Sequence, residues 1–245
     1  MKNKVNYGVD APEIIRNRII GGIVLIIISV GNYIFFRDSI PALRTTLVSI
    51  FGVLSGIFLL SAFIMLLSSK YGKIKEAERI ISMLDIKGDE LVLDIGCGRG
   101  LYLIEIAKKL TKGKAVGIDI WSKDLSQNSK KNTLRNAKIE DVSNKIEIKT
   151  ADMVNIPYKD NTFDLVISSF AINNILDTKK RKKALKETTR VLKIEGKICI
   201  VDMRNIEEYV EILQSKGIED IKITKTKYLY PRSKIIIGTK TQPKD

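Results

Sequence analysis

Two stretches of this chain carry no charge over lengths that limit what the rest can be. Ile19 to Phe36 runs for eighteen residues between Arg18 and Arg37, and Thr45 to Ser69 for twenty-five between Arg44 and Lys70. A hydrocarbon core takes about 20 apolar residues as helix, with about 17 as the short limit, so both runs can span it. Gly21, Gly22, Gly31 and Asn32 weaken the first run as an isolated helix, yet glycine suits helices that pack closely in lipid. Arg37 to Arg44, with Pro41, reads as a turn, which makes the pair a hairpin. Lys2, Lys4, Arg16 and Arg18 precede it and Lys70, Lys73 and Lys75 follow it, whereas the turn's Arg37 and Arg44 are offset by Asp38. The basic excess places both ends in the cytoplasm, for a multi-pass membrane protein. Two other readings compete: a cleaved leader, disfavoured by the long segment before the run and the lack of a clean small-residue cleavage site, and a buried hairpin in a soluble oligomer.

The remaining length is enough for one globular domain, and composition removes whole classes of chemistry from it. The 245 residues include no histidine, so an imidazole base, a Ser-His or Cys-His pair and a His-containing metal site are all excluded. Cys97 and Cys199 lie about a hundred residues apart and form no metal or disulfide spacing, and no metal is expected. A net charge of +14 invites nucleic acid or an anionic membrane as partner. That charge is spread along a Lys-, Ile- and Asn-rich chain, however, so a solvated surface is the simpler account. The expected organisation is a cytoplasmic segment 1–18, a transmembrane hairpin 19–69 and a catalytic domain 70–245.

From Tyr71 onward, strand-like and helix-like patterns alternate. Ile74, Ala77, Ile80, Ile81 and Leu84 make a helical stripe, and Leu91 to Ile95 a short apolar strand. A helix through Leu110, a strand Ala115 to Asp119, a helix Asp124 to Lys138 and a strand Lys145 to Lys149 follow. Then come a strand Phe163 to Ser169, a helix Lys179 to Lys193, a strand Lys197 to Asp202, a helix Ile206 to Lys216 and strands near Ile218 to Thr226 and Ile235 to Thr239. The order predicts an α/β fold, a doubly wound, seven-stranded, mostly parallel sheet whose ligand site lies beyond the carboxyl ends of the strands.

The chemistry concentrates in Val92-Leu93-Asp94-Ile95-Gly96-Cys97-Gly98-Arg99-Gly100. Glycines after a strand let backbone N–H groups and a helix N-terminus approach a ligand. The spacing is G-x-G-x-G rather than the dinucleotide G-x-G-x-x-G. Asp94, two residues before the first glycine, would repel a pyrophosphate but attract an ammonium group. Asp119, nineteen residues after Gly100, ends the next strand, where a carboxylate accepts hydrogen bonds from ribose hydroxyls.

These residues resemble the class I S-adenosylmethionine (SAM)-dependent methyltransferases, of the type 11-like kind, and Tyr71 to Thr239 is similar to their whole catalytic domain. The resemblance implies SAM as cofactor, with Asp94 near the methionine ammonium and Gly96, Cys97, Gly98 and Gly100 backing methionine and ribose. It likewise implies Asp119 on the ribose hydroxyls, Ile120 beside the adenine, and Asp152 with Met153 where an acidic side chain meets the adenine amino group. Against these stand plainer roles: a strand-end cap for Asp94 and turn residues for Asp119 and Asp152. Gly117 to Asp124 and Ser168 to Asn174 look like a bacterial and archaeal branch acting on small molecules, in which a histidine is expected where Asn173 stands. The Asn-Pro-Pro-Tyr signature of nitrogen methylation is absent after the fourth strand, which disfavours nucleobases.

Function follows as a membrane-anchored methyltransferase acting on a small-molecule or lipid-like acceptor. A SAM-binding membrane module without catalysis and a nucleic-acid methyltransferase are the alternatives. The latter is disfavoured by the hairpin and by the lack of an aromatic basic platform. No catalytic residue is singled out: Asp202, Tyr228 and Tyr230 are candidate bases, and Tyr71 and Tyr102 candidate covers. The run Lys179 to Lys183 reads as a solvated face, with a lipid-facing patch as the other reading.

Overall fold

The computed structural model describes residues 4–37, 41–121 and 128–242. It divides into two compact units, Val9–Gly72 and the residues before it together with Lys73 onward. The first unit is α1 (Pro12–Phe35) and α2 (Pro41–Leu67), ending in a π turn, Ser68–Gly72. The expected turn between the helices lies partly outside the described residues.

Small and hydroxyl residues decide how α1 and α2 meet. A Cβ on Gly22 would fall 2.7 Å from the Leu59 side chain, and one on Gly21 2.9 Å from Phe58, so a side chain at either place would have to displace its neighbour. Arg18 donates to Ser61 Oγ (2.6 Å), Ser55 Oγ to Gly22 O (2.9 Å) and Ser29 Oγ to Val48 O (3.0 Å). Partner numbers fall on one helix as they rise on the other, so the pair is antiparallel. Both helices are long and apolar enough to cross a membrane, at mean hydropathies of 2.0 and 2.6. Only 11% and 22% of those apolar windows is buried, whereas the core helix of a soluble domain would bury most of its stripe.

The second unit begins with α3 (Lys73–Ser82) and is built on a seven-stranded sheet of order β3-β2-β1-β4-β5-β7-β6. The strands are β1 (Leu91–Ile95), β2 (Lys114–Asp119), β3 (Ile146–Thr150), β4 (Phe163–Ser169), β5 (Leu192–Asp202), β6 (Ile218–Lys225) and β7 (Lys234–Lys240). β1 to β5 are parallel, and β7 enters antiparallel between β5 and β6. The helices are α4 (Leu101–Lys109), α5 (Lys130–Ile139), α6 (Thr178–Val191) and α7 (Ile206–Gln214). β1 is buried on both faces: Val92 joins a core with Ile80, Leu103 and Ala137, and Leu93 one with Leu185, Tyr209 and Leu213. That two-sided burial explains the unbroken apolar runs of the parallel strands.

Three departures from the sequence reading have local causes. α5 starts at Lys130, where Ser129 accepts the Asn132 N–H as N-cap, and the earlier part of the expected helix lies largely outside the described residues. β5 begins at Leu192, so α6 passes into the strand with no loop between. In the basic run, Arg181 is buried: its guanidinium donates to Ile175 O (2.9 Å) and Glu208 Oε2 (2.7 Å), while Asp177 caps α6 through the Lys180 N–H.

Glu76, fully buried in α3, joins that helix to the β6–β7 connection. Its Oε2 accepts the N–H groups of Lys227 (2.8 Å) and Tyr228 (2.7 Å), and its Oε1 pairs with Arg79. Glu76→Ala strands two backbone donors and a guanidinium. A loss of about 2–4 kcal/mol is expected, read as a lower denaturation midpoint in detergent; an unchanged midpoint contradicts this role.

Candidate functional site

β1 to β5 all end on one edge of the sheet, and the residues singled out from sequence gather there. Beyond Ile95 the chain bends through Gly96, Gly98 and Gly100, with φ of 71°, 51° and 82°, angles that favour glycine. Contacts also exclude side chains: a Cβ on Gly96 would lie 2.3 Å from Ala171 Cβ, and one on Gly100 2.7 Å from Thr133 Cγ2.

The loop's backbone is then tied down one peptide group after another. Gly96 and Cys97 N–H groups donate to Ile118 O (2.8 and 3.1 Å), and Gly100 N–H to Cys97 O (2.7 Å). Thr133 Oγ1 donates to Gly98 O (2.6 Å), and Asn136 Nδ2 to Arg99 O (3.0 Å). Asp119, the last residue of β2, reaches across. Its Oδ2 accepts Gly98 N–H (2.9 Å) and its Oδ1 accepts Trp121 N–H (2.7 Å). A carboxylate oxygen has two lone pairs, so both oxygens retain capacity for a further donor.

Asp94 is 3% exposed and accepts the Leu103 N–H. That donor belongs to the first turn of α4, whose N-cap, Gly100, offers no side chain to satisfy it. Burial pushes the Asp94 carboxyl up to about 7; the Leu103 bond opposes the shift and the Asp119 charge adds to it. Burial also raises the Cys97 thiol, as do Asp94 and Asp119, and its Sγ fills the space left by Gly117.

Ile120 follows Asp119 with 58% of its surface exposed, an apolar side chain left facing outward beside the loop. Ala151 N–H donates to Asp119 O (3.1 Å), bringing the end of β3 alongside β2. Met153 reaches toward Gly96, its Cε 3.9 Å from where a Cβ there would stand. Asp152 is exposed, and its Oδ1 accepts Val154 N–H (2.9 Å), so it shapes the turn. Asp94, the three glycines, Cys97, Asp119, Ile120 and Met153 thus share one edge, with Asp152 at its rim.

The candidate bases fare differently. Asp202 is fully buried and accepts from Met203 N–H (2.8 Å), Asn173 N–H (3.1 Å) and Tyr209 OH (3.3 Å); burial lifts its pKa to about 6. It joins the turn after β4 to α7. Tyr102 is buried in the core and bonded to Ser169, which favours packing over a covering role, and Tyr71 belongs to the helical unit. Tyr228 and Tyr230 are half-exposed on the β6–β7 connection. Sequence reasoning missed Thr133 and Asn136, which hold the loop from α5. A lone Thr and a lone Asn in a helix carry no spacing signal.

A cleft of about 530 Å³ opens at the other end of the sheet, lined by Asp85, Lys87, Glu90, Asp164 and Lys193 among others. Two of its carboxylates are engaged within the fold: Glu90 accepts the N–H groups of Lys87 and Gly88, and Asp164 accepts Leu91 N–H and Lys193 Nζ. It is separate from the glycine loop.

Residues 93–200 match the family described as methyltransferase domain. A Bacillus subtilis protein named as methyltransferase YrhH is 30% identical over 168 residues, which cover 66% of this chain and 88% of that protein. The chain belongs to the SAM-dependent methyltransferase family. The demethylmenaquinone methyltransferase of Lactobacillus johnsonii is 32% identical over 126 residues, 51% of this chain and 48% of that enzyme, so the match spans about half the relative's length. A solved Methanococcus maripaludis structure, described as a SAM-dependent methyltransferase, superposes with a TM-score of 0.56 at 24% identity, covering 71% of this chain and 88% of that one. It shares the fold.

In this methyltransferase the raised Asp94 carboxyl has a consequence for stability. A folded pKa near 7 exceeds the unfolded value of 3.8, so the stability this group supports is fully present below about pH 4 and is lost as pH rises through 7. Asp94→Asn keeps an acceptor for Leu103 and removes the charge. The variant without ligand is expected to melt higher than the parent at pH 8, with the gap closing toward pH 5. An equal gap at both values contradicts the burial effect.

Proposed function

We propose that this chain is a membrane-anchored enzyme that moves a methyl group from SAM to a small, lipid-like acceptor. The observation that carries it is one chain holding both the glycine-loop edge with Asp94 and Asp119 and a helical hairpin whose apolar side chains lie exposed. The relatives named demethylmenaquinone methyltransferase support an apolar, quinone-like acceptor. In this reading the hairpin 19–69 spans the bilayer, and the flanking lysines and arginines keep the catalytic unit on the cytoplasmic side.

The residues present fit the cofactor. Asp94, buried and short of a cationic neighbour, suits the methionine ammonium. Gly96, Cys97, Gly98 and Gly100 give a backbone surface on which methionine and ribose can lie. Asp119 retains the lone pairs that two ribose hydroxyls require, exposed Ile120 and Met153 offer apolar flanks for the adenine, and the free oxygen of Asp152 suits its amino group. When bound, the sulfonium supplies an already activated methyl group. The protein's part is to hold it, align an acceptor with the S–CH3 bond and exclude water. Asp202 serves this by fixing the turn after β4 rather than by taking a proton.

Three measurements test the proposal. Asp119→Ala removes two charge-assisted bonds worth about 1.5–3 kcal/mol each, partly replaced by water, and should weaken SAM binding at least about tenfold in a titration. Unchanged affinity would misplace the ribose. The chain should stay with membranes through carbonate extraction, and release into the soluble fraction would sink the anchor. Isotopically labelled SAM with lipid and metabolite extracts should put label in the lipid fraction. Label confined to polar metabolites refutes a lipid-like acceptor, and SAM binding with no methyl release in any extract supports the non-catalytic module instead.

A further inference from the structure

The segment before the hairpin is not a loose tail on the catalytic unit. Asn136, 2% exposed on α5, accepts the Asn6 N–H with its Oδ1 (3.2 Å) and donates its Nδ2 to Asn6 O (3.1 Å) and to Arg99 O (3.0 Å). One carboxamide therefore joins the N-terminal segment to the middle of the glycine loop. Tyr7 packs against the core made by α3, α4 and α5. Gly8, at φ +76°, runs so close to the loop that a Cβ would stand 3.0 Å from Arg99 Nε. Lys73, 8% exposed, completes the arrangement by donating Nζ to Tyr7 O (3.0 Å) and Gly8 O (2.7 Å).

We propose that Asn6-Tyr7-Gly8 is a strap that holds the glycine loop in its cofactor-binding form through Asn136, which makes Asn136 a positioning residue for SAM binding. Loop backbone shifts of a few tenths of an ångström move every N–H and glycine face on which the cofactor would rest, and the Arg99 carbonyl is one of the points that fix them. The strap has its own reason to be rigid. The chain leaves this unit at Gly8 and returns at Lys73, and the Lys73 ammonium bonded to both strap carbonyls closes that 64-residue excursion onto the loop. The two connections to the hairpin and the cofactor loop thus meet in one hydrogen-bonded assembly within this unit.

The proposal rests on the loop being the SAM site, and the test separates the two ideas. In the full chain in detergent, SAM affinity is titrated for Gly8→Ala, Asn136→Ala, their combination and Asp119→Ala. Gly8→Ala adds one methyl at a left-handed position and should displace the strap without unfolding the unit, which thermal denaturation checks. Each of the first two should weaken SAM about five- to tenfold, the size of one or two lost hydrogen bonds, and the combination should lose little more than Asn136→Ala alone. A purely structural role would lower the melting temperature of Asn136→Ala while leaving the affinity of Gly8→Ala at the parent value. That result, or full additivity, overturns the strap. If Asp119→Ala also binds as tightly as the parent, the cofactor site itself has been misplaced; if Asp119→Ala alone weakens binding, only the strap fails.

Discussion

The hydrogen bond from Gly98 N–H to Asp119 Oδ2 is the contact on which the site depends. It joins the turn leaving β1 to the end of β2, two strands that pair along their whole length but whose ends would otherwise diverge into separate loops. A loop of left-handed glycines has little conformational preference of its own, so its shape has to be imposed from outside. Asp119 imposes it from the sheet, Thr133 and Asn136 from α5, and the Ile118 carbonyl from beneath. Each contact is modest alone, about 1 kcal/mol, but together they satisfy backbone groups that water would otherwise loosen. The result is a preorganised surface rather than a flexible one.

Much of the fold can be read in the sequence because it depends on patterns of local origin. β1 and β4 fall where their apolar runs place them, since strands buried on both faces need continuous hydrophobicity. The glycine spacing with Asp94 and Asp119 identifies the family because each residue answers a backbone or charge requirement that few others can meet. Less visible were contacts between segments far apart in sequence. Nothing in the isolated text around Asn6 says that it meets a helix 130 residues away, and nothing marks Asn136 as the side chain that bonds it. The burial of Arg181 was hidden for a similar reason. A run of five basic residues looks solvated until the fold brings Glu208 and two carbonyls to the middle one.

The two units solve the problem of apolar surface in opposite ways. In the sheet unit, apolar side chains are buried on both faces and the strands pair their backbone groups along the sheet. In the hairpin, backbone polar groups are satisfied within each helix, and most of the apolar side chains are left facing outward. Glycine illustrates the contrast. At Gly22 it permits two helices to approach closely, and Ser55 uses the space to bond a helix carbonyl; at Gly96 it permits a loop to pass against Ala171. The same residue serves packing in one unit and backbone conformation in the other.

Electrostatics gives the cofactor edge its direction. Burial, and to a lesser degree the Asp119 charge, raises the cost of ionising Asp94 at one end of the sheet, and the nearby Cys97 thiol is held neutral. No basic side chain is bonded to either carboxylate among the hydrogen bonds of the described residues; their partners are backbone N–H groups. An anion arriving here would meet both acidic side chains, whereas a cation beside buried Asp94 would favour its charged form. Binding a positively charged ligand should therefore shift Asp94 toward its ionised form. The ammonium and sulfonium of SAM meet that requirement, while a pyrophosphate-bearing nucleotide does not, which is why the acidic residue before the first glycine says more about the ligand than the glycines do.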